Sequence, residues 1–406
     1  MPARVVTTLV AALLAFPASA IAKPPPLPSK WPAKTLQLGL TDQPNGAAAL
    51  RRHTRVGFRY QYLAGGVNTG NGWSTWNPDG TFVSLYIAES RKAHEIPVFT
   101  YYQVNSTKPG AGQGESDVVK TNLADKSTMD DYFADLKLFF ERAHAAGGPV
   151  VLHVEPDMWG YIEQTVGDDA TKYRVAVDRD GLPNNAAGLA QEIVKMRDRL
   201  APNVVLAYHV SVWGTNTDIA LQDPSNRAVD KLASRAAAFY RSLGAHFDVT
   251  FAEFDDRDSA FNEIVNGDKG ASWFRPADFA RHARFLRGYS RAARQRIVVW
   301  QIPLGNTLMR AMNNSNGHYQ DNRVQWLFGG STKHLKTYLS AGVIAFLFGG
   351  GADGTTCACD AQHDGKTNPA PINGNKRRSL SADDDGGYFA SRSRAYYHRG
   401  PLRLPR

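Results

Sequence analysis

Apolar, β-branched and aromatic residues gather in eight short runs, and the stretches between them place apolar residues at helical spacing. The runs are TLQLGLTD from Thr35, FRYQYLAGG from Phe58, PVFTYYQV from Pro97, PVVLHVEPD from Pro149, NVVLAYHVSVWG from Asn203, DVTFAEFDD from Asp248, RIVVWQIPLG from Arg296 and GVIAFLFGGG from Gly342. Between them, MDDYFADLKLFFERAHAAG puts Tyr132, Phe133, Leu136, Phe139 and Phe140 on one helical face and ends on glycine. The spacing predicts further helices over 83–95, 186–200, 227–243, 276–294, 324–340 and 388–397. Runs that start about 44 residues apart and alternate with helices predict βα units on a parallel sheet. Their number and spacing predict one (β/α)₈ barrel of the TIM type with long βα loops over residues 35–406, including a long loop at 352–385 after the eighth strand. A doubly wound sheet is the rival architecture, but TDQPNGAAAL after the first strand lacks the G-x-G-x-x-G turn.

Ahead of the barrel, residues 1–22 read as a signal peptide: Arg4, an apolar run from Val5 to Phe16, then small residues. Residues 23–34 are proline-rich and suit an extended linker. The expectation is a secreted or periplasmic protein with no membrane span. Cys357 and Cys359 are the only cysteines, which excludes a multi-bridge disulfide scaffold. The net charge of +9 comes from scattered lysines and arginines, without the basic helix or zinc spacing of a nucleic-acid reader. Oligomeric state has no signature in the chain.

The ends of the runs are where a barrel keeps its chemistry, and here they are polar. Asp42, Gln61, Gln103, Asn105, His153, Glu155, Asp157, His209, Glu253, Asp255 and Gln301 all occupy late positions. Such a ring of donors and acceptors suits a polyhydroxylated ligand. Trp73, Trp76, Trp159, Trp213, Trp273 and Trp300 fall on or after run ends and would give flat platforms for sugar rings. The residues expected to contact substrate are Gln61, Gln103, His153, Trp159, His209, Trp213, Trp273, Trp300 and Gln301.

Glycosidic cleavage needs one protonated and one ionised carboxyl group. If the strands stay regular, His153, Glu155 and Asp157 share one parity on the fourth, and Phe251, Glu253 and Asp255 share one on the sixth. Glu155 is the expected acid/base and Glu253 its partner, with Asp157 and Asp255 as positioning groups or substitutes.

The run Val151-Leu152-His153-Val154-Glu155-Pro156-Asp157 resembles the E-P-D signature of glycoside hydrolase family 6, which implies Asp157 as general acid and makes inversion the expected outcome in that case. Glu155-Pro156 is also similar to the N-E-P motif of the retaining barrel glycosidases, which implies Glu155 as acid/base. Val154 replaces its asparagine, and strand 7 carries Trp300-Gln301 where that clan has a glutamate. Acids on strands 4 and 6 resemble the α-galactosidase-like clan, whose acids are aspartates.

Two other functions stay open. A non-catalytic carbohydrate-binding barrel would use the same tryptophans and glutamines. A metal-dependent hydrolase would draw on His153 and His209, although the first strand has no H-x-H. The expected partner is a carbohydrate substrate, with no cofactor and no catalytic metal. Asp383, Asp384 and Asp385 could hold a structural calcium or form an acidic turn capping the last helix.

Overall fold

The computed structural model describes residues 23–254, 257–309, 312, 314, 319–349 and 385–405. The leader at 1–22, Asp255, Cys357, Cys359, Asp383 and Asp384, and all but the last residue of the loop at 352–385, lie outside the described residues. Eight parallel strands close into a barrel in sequence order: β1 Gln37–Thr41, β2 Phe58–Ala64, β3 Ile96–Tyr102, β4 Val150–Val154, β5 Val204–His209, β6 Val249–Glu253, β7 Ile297–Pro303 and β8 Val343–Gly349. Seven fall inside their predicted runs, β3 starts one residue ahead of its own, at Ile96, and the chain is a (β/α)₈ barrel. Strands covered on both faces must be apolar almost throughout, and β4, β5, β6 and β8 are buried at every position.

The outer helices follow their apolar spacing. Lys126–Ala146 starts where the Asp125 carboxylate accepts from the Thr128 amide at 2.7 Å and stops at Gly147, whose φ is +68°. The predicted helix over 324–340 is two, Arg323–Leu327 and Lys333–Ser340, because Gly330 and Ser331 adopt left-handed φ between them. Pro156–Val166 is a helix that the strand reading had absorbed: β4 ends at Val154, so the parity expected to carry through Glu155 and Asp157 breaks there. Trp31, in the proline-rich run, stacks on Phe58 of β2 at 5.2 Å, so this segment lies against the barrel. The Asp385 carboxylate accepts from the Tyr388 and Phe389 amides at 2.9 and 3.0 Å, the helix-capping role foreseen for that acidic turn.

Arg59 on β2 is wholly buried and ties the end of β1 to its neighbours. It donates to Asp42 at 2.6 Å, to the Gln43 carbonyl at 2.5 Å and to Ser90 at 3.2 Å, and its guanidinium lies 4.1 Å above the Tyr86 ring. A buried charge that loses its partner costs more than the pair contributes. Arg59→Ala should therefore lower unfolding free energy by about 3–5 kcal/mol in denaturant melts, and Arg59→Met combined with Asp42→Leu should recover most of that loss.

Candidate active site

A cleft of about 530 Å³ opens at the C-terminal ends of the strands. Its walls include Tyr62, Tyr102, Asn105, Glu115, Asp157, Tyr161, Trp213, Asp218, Glu253, Arg257, Trp300 and Gln301. Of the four acids expected to act, Asp157 and Glu253 meet here.

Glu253 ends β6. Its carboxylate is 2.5 Å from His209 Nε2 and accepts from the Val212 amide at 2.9 Å, while its carbonyl is 2.9 Å from His282 Nε2. Behind it, His209 Nδ1 is 3.0 Å from His153 Nε2, and His153 Nδ1 is 3.3 Å from the Thr100 hydroxyl. One residue from each of β3, β4, β5 and β6 thus forms a single file. Each of the four ring nitrogens has a hydrogen-bonding partner. Burial drives the His153 imidazole well below its ordinary pKa, aided by the neighbouring His209, which suits a neutral ring. Burial also works to raise the Glu253 carboxyl. The charge of His209 when protonated, its hydrogen bond and the Val212 amide outweigh that, and Glu253 lies below its ordinary value.

Asp157 occupies the first turn of the helix Pro156–Val166 and accepts from the Tyr102 hydroxyl at 2.8 Å. Desolvation raises its carboxyl to about 6; Tyr102 and His209 pull it down, while the negative charges of Glu253 and Glu115 push it up. Two carboxyls in one cleft are displaced in opposite directions, the arrangement that separates an acid from a base.

Glu155, the expected acid/base, does not line the cleft. At φ +48° it caps the helix, turning the chain out of β4, and its carboxylate accepts from the Gln103 and Val104 amides at 3.1 and 3.3 Å. The retaining-clan resemblance therefore finds its glutamate committed to joining two strand ends. Burial holds this carboxyl at about 8 despite the two amides.

The substrate-contact expectations divide as well. Trp213, Trp300 and Gln301 line the cleft. On β7, Val299 pairs with Phe346 and Ile302 with Phe348, so one extra residue bulges out, with Gln301 at φ +53°. That bulge turns Trp300 and Gln301 to the cleft. His153 and His209 act from behind Glu253, and their ring nitrogens bond each other instead of converging on a shared point. Among the described residues, no group of three His, Cys, Asp or Glu side chains is placed to hold a metal ion.

Four expected contacts lie off the cleft wall. Gln61 hydrogen-bonds to Gln43 at 3.1 Å, and Gln103 is wholly buried. Trp159 is core, packed on Tyr208 and donating to the Val154 carbonyl at 3.0 Å. Trp273 donates to Glu263 at 2.7 Å in its own loop. Trp73 is likewise buried, bonded to Asp135 at 2.7 Å. The sequence reading missed Tyr62, Tyr102, Glu115, Tyr161, Asp218 and Arg257. Tyr161 follows Asp157 by four residues, a helical face hidden as long as that segment was read as strand.

No protein-family profile and no curated protein matches the chain. Solved structures resemble it at the level of the barrel. A modular endo-β-1,4-mannanase of glycoside hydrolase family 26 from Cellulomonas fimi is 12% identical, with 84% of this chain and 68% of that one covered and a TM-score of 0.48. A family 39 glycoside hydrolase from Bacteroides cellulosilyticus WH2 is 11% identical, over 88% and 64% of the two chains, with a TM-score of 0.41. The tryptophan synthase α-subunit of Pyrococcus furiosus, 10% identical over 78% and 87% at a TM-score of 0.33, shares the likeness. Such distances carry no functional argument, which rests on the cleft itself.

The Glu155 environment has a measurable consequence. A carboxyl raised to about 8 from an ordinary 4.5 contributes stability that is fully present below 4.5 and lost as pH rises through 8. Between about pH 5 and 8, unfolding free energy should fall, and in Glu155→Gln that fall should be shallower by on the order of 3 kcal/mol in denaturant titrations. An unchanged slope would place the Glu155 proton elsewhere.

Proposed function

We propose that the chain is an exported glycoside hydrolase in which Asp157 is the general acid and Glu253 the ionised partner. The observation that carries the reading is the meeting of these two carboxyls in one aromatic cleft on unlike partners, Asp157 on the Tyr102 hydroxyl and Glu253 on His209 and the Val212 amide, and their opposed displacement agrees with it. Asp157, protonated below about 6, donates its proton to the departing glycosidic oxygen. Glu253, kept ionised by His209 and Val212, takes a proton from the water that attacks the anomeric carbon, so the water's hydroxyl joins the sugar as the glycosidic bond breaks. Tyr102 fixes the rotamer of the acid, while the half-buried Trp213 offers a ring face to the sugar. The E-P-D resemblance agrees with this choice of acid, and inversion is the outcome it implies. Export rests on the pattern of residues 1–22; among the described residues no helix is long and apolar enough to cross a membrane.

Reducing-end release from a panel of polysaccharides tests the reading. Asp157→Asn and Glu253→Gln should each lower kcat by about 10²–10⁴-fold, whereas Glu155→Gln should stay within about threefold if its fold is intact. Because the acid must carry its proton, kcat/KM should decline as pH rises through about 6 and stay high on the acid side until Glu253 protonates. Proton NMR of the first product anomer reads the stereochemistry. Binding of a glycan without release by any of the proteins would leave a carbohydrate-binding barrel instead.

A further inference from the structure

The cleft carries more negative charge than bond cleavage uses. We infer that its substrate is a cationic glycan, built from amino sugars with free amino groups, and that Glu115 and Asp218 receive the ammonium groups; this rests on the glycosidase reading above.

Four carboxylates among the described residues face one space, and the reaction needs two. Among the described residues none of the four is salt-bridged to a lysine or arginine. Glu115 accepts from the Tyr161 hydroxyl, Asp157 from that of Tyr102, Asp218 from the Ala220 and Leu221 amides at 2.7 and 3.0 Å, and Glu253 from His209 and Val212. Hydroxyls, backbone amides and one histidine orient these groups.

Two buried carboxylates elsewhere in the chain take arginine, Asp42 with Arg59 and Asp321 with Arg323, whereas Asp135 takes the Trp73 indole and the Tyr101 hydroxyl. The whole protein is basic, with 47 lysines and arginines against 38 acids, yet Arg257 is the one such cation lining the cleft among the described residues. A negative cleft in a positive protein attracts and orients a cationic ligand and disfavours an acidic one. Independently, the indole N–H of Trp300, a residue only 3% exposed at the cleft wall, has no acceptor among the described residues. It suits an oxygen or uncharged nitrogen of a bound sugar.

Glu115 could instead serve only to keep the Asp157 proton in place, since its charge acts on that group. The two roles separate experimentally. Loss of such help would move the alkaline limb of the pH profile on every substrate, whereas loss of an ammonium site weakens only the cationic one.

Calorimetry on full-chain Asp157→Asn with glucosamine oligomers, their N-acetylated counterparts and neutral mannose and glucose oligomers tests the inference, beside cleavage of the same sugars by the unsubstituted protein. The free-amine oligomer should bind about tenfold or more tighter than its acetylated counterpart, with the advantage shrinking as NaCl rises. Adding Glu115→Gln and Asp218→Asn should remove that advantage and leave neutral-oligomer affinity unchanged; the salt dependence of the parent serves if that combination does not fold. Neutral or acetylated oligomers bound as tightly, or cleaved in preference, would overturn the inference and leave the glycosidase standing. Free-amine oligomers bound but never cleaved would sustain the cationic site and remove the hydrolase. No binding and no cleavage of any oligomer would overturn both.

Discussion

The file of hydrogen bonds from Thr100 through His153 and His209 to Glu253 is the constraint around which this site is organised. A closed parallel barrel has no water to offer a polar group on its inner wall, so each must find a partner from a neighbouring strand or cost several kcal/mol. Here the partners form a line across four adjacent strands. His153 is stacked on Phe251 at 4.3 Å and meets the edge of Trp300 at 4.8 Å, so its position is fixed by packing as well as by hydrogen bonds. A slip in any one strand would leave a buried imidazole unpaired, and the polar file therefore helps to specify the register that delivers Glu253 to the cleft.

Asp157 is delivered by the opposite means. Glu253 sits on a strand and is held from behind; Asp157 sits on a helix turn and is held from the side by Tyr102. The difference in support explains the difference in proton affinity. A carboxylate with an imidazole and an amide on its oxygens has its charge matched, whereas one with a single hydroxyl among buried neighbours and other acids does not. Glu155 makes the helix turn itself possible: its left-handed backbone ends β4 and its carboxyl joins that strand end to the amides after β3. It is part of the site's frame, two residues from the acid it resembles in sequence.

What the sequence disclosed and what it hid follow from the range of the interactions involved. The eight strands were legible because burial on both faces demands unbroken apolar runs, a local signal. Glu253 was legible for the same reason, being the last residue of such a run. Glu155 and Asp157 were misassigned because Pro156 at the first position of a helix looks, in a string, like the tail of a strand. Gln301 faces the cleft through a bulge that depends on β8, and Trp159 faces the core through contacts with β5, neither of which its neighbours in sequence encode. Tyr102 and Tyr161 were hidden because tyrosine at a strand end or on a helix has core packing as its ordinary use; only their pairing with Asp157 and Glu115 gives them another.

The choice of partners for the cleft acids links stability to function. An arginine beside Asp157 would lower its pKa and take away the proton that the proposed acid must give, and one beside Glu253 would compete with the positive charge developing on the sugar. Tyrosine, backbone amides and a histidine file hold the same carboxylates in place without supplying a permanent counter-charge. The cost is borne by desolvation, seen in the raised Asp157 and Asp218 carboxyls. It is offset by the large barrel core that fixes their surroundings. Among the described residues Arg257 shares the cleft wall with these acids, yet no arginine is salt-bridged to Asp157 or Glu253, and that separation is as much a part of the site's construction as the placing of the acids.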